Sequence, residues 1–150
     1  MIAVIQRVSE ASVRIDNKYV SQIKKGLLVL LGVEKGDTIQ DAEYLVKKIV
    51  ELRIFNDAER KMNRSLIDVN GALLIVSQFT LPADIRKGRR PSFNRSAEPE
   101  SGEHLYNQFI AIAEQMVNEV KSGVFGAMMQ LELVNDGPVT IIARSPVEKG

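Results

Sequence analysis

The chain has 150 residues, with 20 Lys+Arg against 19 Asp+Glu, one His and no Cys or Trp. That length fits a single domain spanning 1–150 with its own core, and 45% hydrophobic with 26% charged residues excludes wholesale disorder. Without Cys there is no disulfide framework, zinc ribbon or thiolate nucleophile, a lone His104 cannot build a multi-histidine metal site, and a formal net charge of +1 confines any phosphate affinity to a local patch. No metal and no cofactor is expected.

Residues 1–33 read as β structure. Ile2, Val4, Gln6 and Val8 point one way, Ala3, Ile5 and Arg7 the other, and Val13 and Ile15 continue the pattern. Asp16-Asn17-Lys18 is a hairpin turn leading to Tyr19, Val20 and Ile23. Gly26 to Val33 is apolar without alternation, as in a strand covered on both faces. The longest apolar run, Leu27 to Leu31, is far short of the roughly 20 residues of a membrane span. The N-terminus reaches Arg7 too soon for a signal peptide, so the expected compartment is the cytoplasm, with no membrane partner.

Thr38, with Asp41 three residues on, predicts a helix start. Ile39, Ala42, Leu45, Val46, Ile49, Val50 and Arg53 keep helical spacing. Arg53-Ile54-Phe55 predicts a short strand and 56–64 a polar connection. Asn70-Gly71 marks a turn before a buried strand, Ala72 to Val76, that runs straight into Ser77-Gln78-Phe79-Thr80-Leu81. Pro82 to Glu100 is one long irregular segment, and loops of that length in compact domains are usually functional or disordered. A second helix is predicted from about Ser101 to near Gly123, with Leu105, Phe109, Ile112, Met116 and Val120 on one face. Leu131 and Leu133 alternate with Glu132, Asn135-Asp136-Gly137-Pro138 breaks the chain, and Val139 to Ala143 is a final strand. The sum is a mixed α/β fold.

Candidate chemistry is sparse. His104 is the only ordinary general base near neutral pH, and a Ser-His-Asp triad would have to use it. The plainer reading is a partly exposed helix residue, and without His104 the chain has no nucleophile–base pair. Ser77 to Leu81 sits where a buried strand meets a loop, a common place for active-site groups, although a Ser or Thr without a base is a poor nucleophile. Arg86, Lys87, Arg89, Arg90 and Arg95 crowd a segment with no acid and one aromatic, Phe93. This is either a phosphate-binding patch or a solvated loop paired with Glu98, Glu100 and Glu103.

Together these segments resemble the bacterial D-aminoacyl-tRNA deacylases along the whole chain. The resemblance rests on Met1 to Val8, Arg86 to Phe93, Phe125-Gly126-Ala127-Met128-Met129, and two motifs, Ser77-Gln78-Phe79-Thr80-Leu81 and Asn135-Asp136-Gly137-Pro138-Val139-Thr140. It implies a single-domain, homodimeric α/β fold with a barrel-like sheet core and two amphipathic helices. It also implies an enzyme that cleaves the ester between a D-amino acid, or mischarged glycine, and the 3′ end of tRNA, a chiral proofreading step. Both active sites would lie at the subunit interface, the Ser77–Leu81 segment of one chain facing the cis Gly137-Pro138 segment of the other. Ser77, Gln78, Phe79 and Thr80 are then the catalytic candidates, with main-chain N–H groups near Phe79 and Thr80 on the oxyanion and the ribose 2′-hydroxyl helping to activate water. Thr80 is also a candidate nucleophile, which the missing base argues against. Gly137, Pro138, Arg7 and Met129 are the expected substrate-binding residues, Arg7 bracing the partner's Gly-Pro segment. Arg86, Lys87, Arg89 and Arg90 are the candidates for tRNA phosphates; DNA is not an expected partner. The competing readings are a non-catalytic RNA-binding domain using the same basic loop, and a serine or threonine hydrolase built on His104.

Overall fold

Alternating apolar residues at the N-terminus build one long strand, β1 (Ile2–Ile15), around which the sheet is arranged. The computed structural model describes residues 1–146. Asp16 and Asn17, at φ 50° and 64°, supply the left-handed pair that a two-residue hairpin needs, and β2 (Lys18–Ile23) returns antiparallel to β1. β3 (Gly26–Gly32) pairs antiparallel with the first half of β1, Ile2 facing Gly32 and Val8 facing Gly26. Across its other edge runs β6 (Ala72–Ser77), parallel, with Leu27 beside Leu73. The two backbones approach so closely that a Cβ at Gly26 would stand 1.8 Å from the Ala72 carbonyl oxygen, a position only glycine can occupy.

Between these strands lies α1 (Ile39–Glu51), and its start follows the Thr38–Asp41 signal: the Thr38 N–H donates to the Asp41 carboxylate at 2.8 Å in a capping box. Ala42, Leu45, Val46, Ile49 and Val50 form its buried face. The strand expected at Arg53 to Phe55 is shifted. A two-stranded ribbon pairs β4 (Phe55–Asn56) with β5 (Met62–Arg64), and Arg53 stays outside it, its Nε donating to the Asn63 carbonyl at 2.9 Å.

α2 (Pro99–Glu114) begins with Pro at its first turn and ends well before the expected Gly123. Val120 belongs instead to β7 (Val120–Ser122), parallel to β6 with Leu73 facing Val120. The competing force is the free edge of β6. The Leu73 N–H donates to Glu119 at 2.9 Å and the Gly123 N–H to Ile75 at 3.1 Å. A longer helix would leave buried backbone groups of β6 unpaired, which costs more than helical periodicity returns. The buried face of α2 is accordingly Gly102, Leu105, Tyr106, Phe109 and Ala113, without Met116 or Val120.

The last strands also differ from expectation by being one strand, β8 (Gln130–Arg144), which lines the whole remaining edge of β1. Gln6 faces Thr140 and Val8 faces Asn135, so Asp136 to Val139 loop out of the ladder opposite Arg7 alone. A bulge at Ser9, between Val8 (facing Asn135) and Glu10 (facing Val134), then shifts the register. Because side chains alternate with period two, that extra residue sends the second half of β1 to the other face. Ala3 and Ile5 pack with Leu27, Val29, Ile75 and the two helices, while Ala11 and Val13 join Leu28, Leu74, Val76 and Leu133 in a second cluster inside the curled sheet. The result is a mixed α/β fold with a nearly closed, barrel-like sheet and two helices on one side.

Candidate active site

β6 ends at Ser77, and the chain then makes a tight turn with the Leu81 N–H donating to the Gln78 carbonyl at 3.2 Å. The turn is anchored to the sheet by the Gln78 N–H, which donates to the Leu31 carbonyl at 2.7 Å. Inside it the Gln78 Nε2 donates to Thr80 Oγ1 at 2.7 Å, so the Thr80 hydroxyl is held by a neutral amide, and no basic side chain among the described residues is hydrogen-bonded to it. The Phe79 ring is 58% exposed and meets the edge of Phe93 at 5.2 Å between centroids. Neither the Phe79 N–H nor the Thr80 N–H has an acceptor among the described residues. Two adjacent main-chain donors without partners at an exposed turn suit a developing oxyanion.

The second motif is the protrusion of β8. Asn135 closes its base: the side-chain oxygen accepts the Val139 N–H at 3.1 Å and Nδ2 donates to Thr140 Oγ1 at 3.0 Å. The Gly137–Pro138 peptide is cis. Gly137 sits at φ +136°, and a Cβ there would lie 2.8 Å from Val139 Cγ2 and 3.0 Å from the Arg7 guanidinium. Arg7 lies beneath this protrusion. Its Nε donates to the Asp136 carbonyl at 2.9 Å and its other end to the Ile54 carbonyl at 2.7 Å. The segment it braces is therefore that of its own chain, a correction to the expectation that it reaches across to a partner.

Within one chain the two motifs are far apart. Arg7, Leu27 and Leu73 stand in one cross-strand row, and Ser77 lies beyond that row along β6. At about 3.3 Å per residue and about 4.8 Å per strand, three strand steps and six residues put the Gly137-Pro138 segment and the turn about 25 Å apart along the sheet. Two hollows of the chain, about 430 Å³ beside Glu10, Tyr19 and Glu132 and about 1050 Å³ around Met1, Asp37, Tyr44 and Arg95, contain neither motif. Met129 packs with the second cluster, its sulfur against Gly123 near the end of β6, while Met128 is 90% exposed.

The basic segment forms a loop closed by paired main-chain bonds between Asp84 and Ser92, at 2.8 and 2.9 Å. Its charges are not equivalent. Arg86 grips Asp84 with two bonds, at 2.9 and 2.6 Å, and holds that carboxyl well below the usual range. Arg95 pairs with Glu34 at 2.7 Å. Among the described residues Lys87, Arg89 and Arg90 have no carboxylate partner. The pairing with Glu98, Glu100 and Glu103 that the solvated-loop alternative offered does not form among the described residues: Glu98 meets Lys35, and Arg86 and Arg95 pair with Asp84 and Glu34. His104 is exposed on α2 with no hydrogen-bond partner among the described residues. No group of three or more metal-ligating side chains occurs among the described residues.

Ser96 escaped the sequence reading altogether. It is buried, and its hydroxyl donates to the Phe79 carbonyl at 2.7 Å. A serine in an irregular loop carries no local signal of such a contact across 17 residues.

Residues 4–144 match the family model described as D-Tyr-tRNA(Tyr) deacylase. A D-aminoacyl-tRNA deacylase of Dehalococcoides mccartyi is 58% identical over 97% of this chain and 95% of its own length, and one of Syntrophus aciditrophicus is 54% identical over 97% of both. The solved structure of a protein described as c-Myc DNA Unwinding Element Binding Protein superposes with a TM-score of 0.94 at 41% identity, covering 98% of this chain and 100% of that one. A probable eukaryotic D-amino acid tRNA deacylase, at 20% identity and a TM-score of 0.79, shares the fold over 95% of this chain and 97% of its own. With both motifs in place on that fold, the chain belongs to the D-aminoacyl-tRNA deacylase family.

Proposed function

We propose that the protein hydrolyses the ester between a D-amino acid and the 3′-terminal ribose of tRNA, and that it also removes mischarged glycine. The observation that carries the reading is the pair of free N–H groups at Phe79 and Thr80, with no nucleophile–base pair among the described residues. Water adds to the ester carbonyl, the resulting oxyanion is received by those two donors, and the ester C–O bond then breaks. The ribose oxygen leaves with a proton, giving tRNA and the free amino acid. With no basic side chain hydrogen-bonded to Thr80 among the described residues, we assign the ribose 2′-hydroxyl to orient the water and relay its proton to the departing 3′ oxygen. Mutagenesis of an oxyanion donor typically costs about 10²–10³ in kcat, which is the share asked of this turn.

Chirality follows from the second motif. The Gly137-Pro138 segment of a second subunit lies over the turn of the first, its backbone carbonyls receiving the substrate's ammonium group and filling the space an L side chain needs. Glycine has nothing to exclude and passes. The separation of the two motifs within one chain supports this arrangement, as does the exposure of Phe79, Met128 and Ile142. Such a homodimer carries two sites at its interface, with Arg7 fixing the segment and Met129 at its edge. Lys87, Arg89 and Arg90 are free for phosphates of the tRNA, and Arg86 shapes the loop through Asp84. No helix among the described residues is long and apolar enough to cross a membrane, and the cytoplasm, where tRNA is charged, is the compartment this substrate implies.

The test is deacylation of D-tyrosyl-, L-tyrosyl- and glycyl-tRNA side by side. Release of D-tyrosine and glycine with L-tyrosyl-tRNA left intact is expected. Binding without turnover would point to a non-catalytic RNA-binding module, and cleavage of both enantiomers would remove the proofreading role.

A further inference from the structure

We infer that Ser96 is a positioning residue of this site: its buried hydroxyl, bonded to the Phe79 carbonyl, fixes the direction of the Thr80 N–H that receives the oxyanion. The inference rests on the deacylase reading given above. The Phe79–Thr80 peptide is trans, so its C=O and N–H point in opposite directions. Ser96 is 8% exposed and draws the carbonyl inward at 2.7 Å, so the Thr80 N–H is turned outward. The preceding peptide is set in the same way: the Gln78 carbonyl takes the Leu81 N–H, which leaves the Phe79 N–H free. Each donor of the turn is thus aimed by what holds the carbonyl on the other end of its peptide.

Ser96 is itself a fixed point. Its N–H donates to the Phe93 carbonyl at 3.0 Å, and the neighbouring Ala97 N–H donates to Val33 at 3.0 Å. On the other side the Lys35 N–H donates to Arg95 at 2.9 Å, and Glu34 bridges to Ser96. The end of the basic loop is therefore sewn to the exit of β3, and from there one hydroxyl and the Phe93 ring hold the turn. Without the hydroxyl, the peptide of an exposed turn is free to rotate, since its carbonyl can turn to water instead. Misplacement of a reacting group by about 1 Å can cost on the order of 10²-fold in rate.

Steady-state kinetics on D-tyrosyl-tRNA would compare Ser96→Ala with the isosteric pair Ser96→Thr and Ser96→Val, which differ from each other by the hydroxyl. A drop in kcat of roughly 10–100-fold is expected for Ala and Val, with KM within about twofold, and Thr should recover most of the rate. On ¹⁵N-labelled protein without substrate, the Thr80 amide resonance should move from its wild-type position further in Ala and Val than in Thr, while the Gln78 amide, bonded to Leu31, stays put. Equal kcat for Ala and wild type, equal loss in Thr and Val, or an unmoved Thr80 amide would each overturn the role of Ser96. A wild-type protein inactive on D-tyrosyl-tRNA would overturn the deacylase reading instead, and the amide measurement would still report whether Ser96 holds the turn.

Discussion

Arg7 is 8% exposed and places a permanent charge beneath the Gly137-Pro138 segment. Its donors satisfy the Asp136 and Ile54 carbonyls, and the Asp136 carboxylate stands 3.8 Å away. Arg7→Met keeps the bulk but leaves those carbonyls without donors, at about 1–3 kcal/mol for each group that stays dry. Urea denaturation should show a loss of roughly 2–6 kcal/mol for the two carbonyls, and D-tyrosyl-tRNA turnover should fall with it; unchanged stability would mean water replaces the guanidinium at no cost. Thr80 and His104 should behave differently. Thr80→Val keeps the main-chain N–H and removes only the hydroxyl that accepts from Gln78, so kcat should fall less than about tenfold. His104→Ala should stay within a few-fold, whereas a loss of roughly 10³ would restore a general-base mechanism. At this scale the motif residues were legible in the sequence because their types and order are local. The Arg7–Ile54 and Ser96–Phe79 bonds were not, since each joins segments that only the completed fold brings together.

Among the elements, the basic loop and α2 separate what a pattern can say from what packing decides. The density of Arg and Lys between 86 and 95 was plain, but which charges are free depended on Asp84 and Glu34, contacts of the folded loop. Arg89→Ala with Arg90→Ala should therefore reduce the salt slope of tRNA binding by about 1–2 units, at roughly 0.7–0.9 per phosphate contact, and Arg86→Ala by less. Equal slopes for all variants would make the loop a solvated surface. For α2, the helical spacing of Met116 and Val120 was real, and the β6 edge overrode it. The helix is latched to that strand by the Tyr106 hydroxyl, which donates to the Ile75 carbonyl at 2.9 Å, and burial pushes its pKa up to about 12. Because the folded state resists ionisation, the unfolded state loses this proton first, from about pH 10 upward. Tyr106 thus contributes stability that is complete below pH 10 and is lost as pH rises toward 12. Alkaline melting curves of wild type should fall across that window more steeply than those of Tyr106→Phe, and parallel curves would place the latch elsewhere.

At the scale of the molecule, the register of the sheet limits how the motifs can meet. The turn after β6 and the protrusion of β8 are separated by β1 and β3, and the hydrogen-bonded ladders between them hold that separation. Under the proposed mechanism a site built from both takes one from each of two chains, and a two-fold axis then creates two such sites. Mixing inactive chains tests this directly. Phe79→Pro removes one oxyanion donor while fitting the second position of a turn, and Gly137→Val pushes a side chain into Val139 and Arg7. Each homodimer should be dead, since both of its sites carry the lesion. In a heterodimer one site collects both lesions and the other collects none. Random exchange of equal amounts makes about half the dimers mixed, each with one working site of two, so about one quarter of wild-type activity should appear. Activity rising to that plateau with the kinetics of subunit exchange would establish the shared site. A mixture that stays dead after exchange is complete, with the mixed dimer demonstrated by mass, would put both motifs of each site on a single chain.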